Sequence, residues 1–272
     1  MPFYSANSGP KPTKYLFIDG PFFEGVISDF LRPFELEENP EVQYKQVSNR
    51  YHRSIYYDAL PVKKPNQSQE GFEKIFNAKR EFLNKLRSLP NFHVRDGYTR
   101  NRPKANNRIE QKGVDTWIAV DALQYALRGI IDFAEIITSD LDLYPLFEAL
   151  TQTNTRGILK YDPRRTAQEL IYAADQAVPF KQSELFSWLP YTFRQEFNVK
   201  NNSKNWKGSE TVFEQNCMYG NCEVRYDKQT GYYESKFATL GNTYHSKKLF
   251  VLIRHLNESH NLDLEYNKEY EF

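Results

Sequence analysis

The chain has 272 residues, 40% hydrophobic and 15% aromatic, with 36 Lys and Arg against 35 Asp and Glu for a net charge of +1. That length supports one large domain or a medium domain with an appendage, and the 20 Phe and 19 Tyr exclude a disordered chain, which goes with few aromatics and strong net charge. Near-neutrality excludes a whole-molecule field for nucleic acid, so any such surface must come from local clusters of Lys and Arg. Two cysteines, Cys217 and Cys222, cannot form a disulfide framework, and no apolar run is long enough to span a bilayer. The opening Met1-Pro2-Phe3-Tyr4 lacks the basic and apolar regions of a signal peptide, so the expected location is the cytoplasm.

In chain order, Lys14 to Ile18 is a short apolar run closed by Asp19-Gly20, which predicts a buried strand and a turn. Arg53 to Pro61 predicts a second strand with Asp58 at its tip. From Gln69 to Leu89, Phe72, Ile75, Phe76, Phe82, Leu83 and Leu86 recur at helical spacing among charged residues, the pattern of an amphipathic helix. Phe92 to Arg95 reads as a strand, and the polar, basic stretch Arg100 to Gln111, broken by Pro103, as a loop. Thr116 to Arg128 predicts a helix that begins just past Asp115 and contains Asp121. Ala134 to Thr138 is a buried strand running into Ser139-Asp140, and Pro145 suits the first turn of a helix reaching Leu150. Gly157 to Tyr161 predicts another strand and Ala167 to Ala177 another helix. Strands alternating with helices predict an α/β fold whose parallel sheet is covered on both faces.

Beyond Lys181 the texture changes. Ser183 to Phe197 predicts a helix interrupted at Pro190, Asn198 to Asn205 a polar linker, and Lys247 to Asn257 a helix. Cys222 to Tyr226 and Tyr232 to Phe237 pair as a hairpin across Asp227 to Gly231. The expected division is a main domain over 13–182 and a small α+β accessory region over 183–272.

Four acids stand at predicted strand or loop ends: Asp19, Asp115, Asp140 and Asp142. In an open α/β sheet the carboxyl ends of the strands gather along one crevice, where acids distant in sequence meet. Converging carboxylates repel unless a cation joins them, and Mg²⁺ binds through carboxylates, waters and phosphate oxygens. This chemistry points to phosphodiester hydrolysis. The competing reading of each acid is a helix cap that accepts hydrogen bonds from free N–H groups. Ahead of Asp115, the cluster Arg95, Arg100, Arg102, Lys104, Arg108 and Lys112 is expected to contact phosphates, with Tyr98 and Trp117 available to stack on unpaired bases. Asp58 is left out of the acidic set. Cys217 and Cys222 lack zinc-site spacing, and no P-loop, Gly-x-Ser-x-Gly or Gly-x-Gly-x-x-Gly occurs.

The ordered set Leu16-Phe17-Ile18-Asp19, Ile55-Tyr56-Tyr57-Asp58, Gly113-Val114-Asp115 followed by Val120-Asp121, and Ser139-Asp140-Leu141-Asp142 resembles the NYN domain, a branch of the PIN-like ribonucleases. Gly157 to Tyr161 and Leu170 to Asp175 are similar to that family's last strand and following helix. The resemblance covers about Lys14 to Lys181. It implies a PIN-like Rossmannoid three-layer domain and a metal-dependent ribonuclease, endonucleolytic on single-stranded RNA, using Mg²⁺ or Mn²⁺. In that reading Asp19 and Asp140 are direct ligands, and Asp115 and Asp142 are ligands or position the metal through water. It also makes a homodimer an expectation. Two positions depart from the family pattern, Phe22 where an Asn is common and Ser139 where a Gly is common, with Glu24 nearby as a compensating acid. The alternative expectation is therefore a catalytically silent relative that binds RNA or a regulatory protein, and a further one is an oligomer-forming module whose acids are caps.

Overall fold

A computed structural model describes residues 11–64, 66–101, 109–202, 210–239 and 243–267, with the side chains of 98–101, 109–112 and 202 outside the description. The first strand shows how the sequence partitions its residues. Along β1 (Lys14–Asp19), Tyr15 and Phe17 alternate with Leu16 and Ile18 and all four are buried, so this strand is covered on both faces. Tyr15 and Phe17 join Ile55 and Tyr57 of β2 (Arg53–Ala59) in a core closed by α4 (Val114–Leu127), α5 (Tyr144–Leu150) and α6 (Gln168–Ala173). On the other face, Tyr56 of β2 meets Phe82 of α3 (Gln69–Arg87) at 5.8 Å and Tyr44 of α2 (Tyr44–Ser48) at 5.8 Å, and Tyr44 in turn meets Phe23 of α1 (Gly20–Leu31).

The remaining strands of this sheet are β3 (Phe92–Asn101), β4 (Ile109–Lys112), β5 (Phe133–Ile137), β6 (Arg156–Tyr161) and β7 (Gln176–Pro179). Their order is β4-β3-β2-β1-β5-β6-β7, parallel throughout except for the antiparallel pair β3–β4. Six parallel strands with helices on both faces give the α/β three-layer class that the alternation of elements predicts.

Several local expectations are corrected. The stretch Arg100 to Gln111, read as a loop, contributes Arg100 and Asn101 to β3 and Ile109 to Gln111 to β4; an edge hairpin can be polar, because one side of it faces no neighbouring strand. The helix expected over Ala167 to Ala177 ends at Ala173 and gives way to β7. Helices α1 and α2 were not foreseen. The apolar positions of α1, Phe22, Phe23, Val26, Ile27, Phe30 and Leu31, do recur at helical spacing on one side of it, so its signal was present in the sequence, whereas α2 is barely more than one turn.

Two compact units result. One runs to Asp29 and resumes over Tyr44–Phe180, and the other takes Phe30–Gln43 and the chain from Lys181 onward. In the second unit β8 (Lys200–Asn202), β9 (Glu210–Cys217), β10 (Gly220–Asp227), β11 (Tyr232–Phe237) and β12 (Thr243–Ser246) form an antiparallel sheet in the order β8-β12-β11-β10-β9. One face packs Cys222, Val224, Tyr233 and Phe237 against Leu249, Leu252, Ile253 and Leu256 of α9 (Leu249–His260). The β10–β11 hairpin and α9 were expected; the linker expected over Asn198 to Asn205 contains β8, and β9 and β12 lacked a clear sequence pattern. Pro190 separates α7 (Gln182–Ser187) from α8 (Tyr191–Phe197), as its missing N–H requires. Cys217 and Cys222 are free thiols, and burial pushes the Cys222 thiol up to about 12.

Candidate functional site

Strand β1 pairs with β2 on one side and β5 on the other. The chain leaves β1 first toward β2 and later returns to β5, so the carboxyl ends of β1 and β5 flank the point where strand order reverses, the usual position of a ligand crevice. Asp19 is the last residue of β1. Thr138, Ser139 and Asp140 follow β5 directly, and Asp140 opens a 3-10 turn over Leu141–Leu143 that contains Asp142. Because β4 runs antiparallel to β3, it carries the chain back before α4 starts. Gly113, at φ 89°, makes that corner, a conformation L side chains resist, and puts Asp115 in the first turn of α4.

Thr138 links the two strand ends. Its hydroxyl donates to Asp19 Oδ2 at 3.1 Å, and the same oxygen accepts the Asp140 N–H at 3.1 Å. Asp19 Oδ1 accepts the Phe22 N–H at 3.4 Å, and Asp140 Oδ1 accepts the Asp142 N–H at 2.9 Å. Asp19 and Asp140 thus satisfy the capping reading with one oxygen each while lying at neighbouring strand ends. Asp19 is only 9% exposed. Burial, together with the charges of Asp115 and Asp140, pushes its carboxyl up to about 6 despite the hydrogen bonds from Phe22 and Thr138. Burial also raises Asp115, with Asp140 and Asp142 adding to the effect.

Asp115 and Asp140 thus act on Asp19, and Asp140 and Asp142 on Asp115. Among the described residues no group of three or more His, Cys, Asp or Glu lies close enough together to hold a metal ion. The donors are carboxylates with a threonine hydroxyl beside them, an all-oxygen set suited to a hard divalent cation such as Mg²⁺ or Mn²⁺.

Other acids of the sequence patterns have partners of their own. Asp58 is buried and paired with Lys79 at 2.5 Å; Lys79 also reaches Glu24 at 2.7 Å, and Glu24 accepts the Tyr56 hydroxyl at 2.8 Å. Glu24, expected to compensate beside Asp19, is instead engaged by Tyr56 and Lys79. Phe22 is buried and meets Phe180 at 6.4 Å, so position 22 supplies an apolar side chain. Asp121 lies inside α4, as the sequence predicts. Its buried carboxylate is gripped by Arg95 Nε and Nη2 at 3.0 and 3.1 Å and by the Tyr57 hydroxyl at 3.0 Å.

Arg95 is thus committed to Asp121, and its guanidinium also lies 5.3 Å from the Trp117 ring centre. Of the residues expected to bind RNA, Arg102, Lys104 and Arg108 lie outside the described residues. Arg100 and Lys112 fall on β3 and β4 with their side chains likewise outside them. Thr138 and the Tyr57–Asp121–Arg95 network escaped sequence reasoning. For Thr138 the available signal was a polar residue directly after a buried strand and before Ser139-Asp140.

The family model described as NYN domain matches residues 39–184. A search of curated proteins finds no match. Among solved structures, the chain is similar to a protein of unknown function from Vibrio parahaemolyticus, with 19% identity, a TM-score of 0.45, and coverage of 68% of this chain and 99% of that one.

Proposed function

This chain belongs to the NYN domain family, within the PIN-like nuclease superfamily, and from that premise we propose that it is a metal-dependent ribonuclease cutting single-stranded RNA endonucleolytically. The observation that carries the proposal is the Thr138 hydroxyl tying the Asp19 and Asp140 strand ends together at the crevice where strand order reverses, beside which burial and the charges of Asp115 and Asp140 push the Asp19 carboxyl up to about 6. A buried acid raised by like charges gains from a cation, and such perturbation is concentrated at functional sites.

Asp19 and Asp140 would hold Mg²⁺ or Mn²⁺ directly, with Asp115 and Asp142 as further ligands or as acceptors for its waters. When bound, such an ion supplies a lowered pKa for the attacking water and charge stabilisation for an in-line displacement at phosphorus. The protein's own part is placement. Thr138 fixes the spacing of the Asp19 and Asp140 strand ends, and Gly113 aims the first turn of α4 so that Asp115 joins them. The expected basic cluster over Arg100 to Lys112 would hold the RNA backbone.

The test is cleavage of labelled single-stranded RNA with Mn²⁺, Mg²⁺ or EDTA, beside Asp140→Asn. Metal-dependent cutting lost in the variant supports the proposal, and equal cutting by the variant refutes it. A second reading, a silent RNA-binding relative, is favoured by the apolar Phe22 beside Asp19; RNA binding without cutting in either metal would select it.

A further inference from the structure

The second unit has a sheet face opposite the α9 core, and strand register states what lies on it. Lys200 of β8 is opposite His245 of β12, His245 opposite Glu234 of β11, and Glu234 opposite Arg225 of β10. Residues paired across strands share a face, so these four form one row across the sheet. Tyr233, Ser235 and Phe237 are buried on the α9 side while Tyr232 and Glu234 are only half-buried, which puts Tyr232 on the same outer face by the two-residue period.

A cavity of about 290 Å³ opens here, lined by Lys200, Thr230, Tyr232, Glu234, Thr243 and His245 among others. The Tyr232 ring is braced by the His245 edge at 5.3 Å and 79°, and Lys200 Nζ lies 5.7 Å from its centre. Three other cations of this unit have acidic partners. Arg225 pairs with Glu223 at 2.6 Å, Lys228 with Glu210 at 2.7 Å, and Lys247 with Glu196 at 3.0 Å. Lys200 instead has the face of an aromatic ring.

We propose that this cavity is a nucleotide-binding site for single-stranded RNA, distinct from the aspartate cluster. Its size suits one small ligand unit, at the lower end for ligand pockets. A tyrosine held rigid by a neighbour offers a stacking platform that every base can use. Lys200 beside the ring is placed for the phosphate attached to a stacked base, and the Glu234 carboxylate lining the cavity offers an acceptor to a base edge or a 2′-hydroxyl, the groups by which single-stranded RNA is read. The inference deepens the RNA reading of the first unit and rests on it for the choice of ligand.

The experiment is fluorescence anisotropy of the full chain with labelled oligouridylate in EDTA, where no cutting interferes, with thermal melting of each variant as the folding control. Tyr232→Ala and Lys200→Ala should each weaken binding roughly fivefold or more, as loss of a base stack or a phosphate contact does. Tyr232→Phe, which keeps the stacking face, should bind like the parent protein. Lys200→Ala should also flatten the dependence of log affinity on log salt by about 0.7, one phosphate contact. Unchanged binding in Tyr232→Ala, or no binding of the oligonucleotide to the intact chain, overturns the proposal and leaves the face to a protein partner. Tyr232-dependent binding without metal-dependent cleavage would sink the nuclease reading alone, and cleavage with Tyr232-independent binding would sink only this one.

Discussion

At the scale of single residues the acidic cluster costs stability. Burial first, and then the charges of Asp115 and Asp140, push the Asp19 carboxyl up from its ordinary value of 3.8 to about 6. The folded state therefore holds its proton through a pH window in which the unfolded chain has lost it, so stability falls as pH rises from about 4 to about 6 and stays reduced above. Asp19→Asn removes that loss. In EDTA at pH 7 it should stabilise the protein by about 2 to 3 kcal/mol and flatten the pH dependence, read by urea unfolding from pH 4 to 7; an Asn variant less stable than the parent at pH 7 would contradict the assignment. The opposite sign is expected at Tyr57. Tyr57→Phe removes the hydroxyl that donates to buried Asp121 and should cost about 1 to 2 kcal/mol in the same experiment. The places of Asp19 and Asp140 after strands and of Asp115 after a glycine corner could be read from the sequence, because an apolar run or a glycine precedes each. Thr138 and the Asp121 network could not, because their roles depend on which strands become neighbours, and a β1–β5 pairing joins residues 119 positions apart.

At the scale of elements, the turn from β1 into α1 fixes where Asp19 can point. A Cβ on Gly20 would come within 2.6 Å of the Tyr56 ring and 2.8 Å of the Tyr57 carbonyl oxygen. The ring could shift, but the backbone oxygen belongs to the adjoining parallel strand. Gly20→Ala should therefore destabilise the chain by about 1 to 3 kcal/mol and weaken the Phe22 N–H contact to Asp19, seen as faster amide exchange at Phe22; an unperturbed Phe22 amide would argue against this coupling. Long elements with a clear period, α3 above all, could be read directly. Its N-cap is Ser68, whose hydroxyl accepts the Gly71 N–H at 3.1 Å. Short edge strands could not. β4, β7 and β8 have three or four residues each, too few to show alternation, and they exist because a neighbouring strand offers them hydrogen bonds.

At the scale of the whole molecule each of the two units has its own hydrophobic core, one packed on the parallel sheet and one between the antiparallel sheet and α9. Leu252, fully buried in the second core, should cost about 2 to 5 kcal/mol when cut to Ala. Hydrogen exchange should show lost protection in β10, β11 and α9 with β1 and β5 still protected; equal loss in β1 and β5 would mean that the units unfold as one. No described helix is long and apolar enough to cross a membrane, and with a net charge of +1 the RNA affinity we propose would have to come from local chemistry. The proposed activity requires that the four aspartates form one cation site. The direct measurement is the melting midpoint in Mn²⁺ against EDTA for the parent chain and Asp140→Asn. Mn²⁺ at a hundred times its dissociation constant should stabilise the parent by about 2.7 kcal/mol and leave the variant unmoved. The same midpoint in Mn²⁺ and EDTA for the parent, or an equal rise in Asp140→Asn, would contradict it.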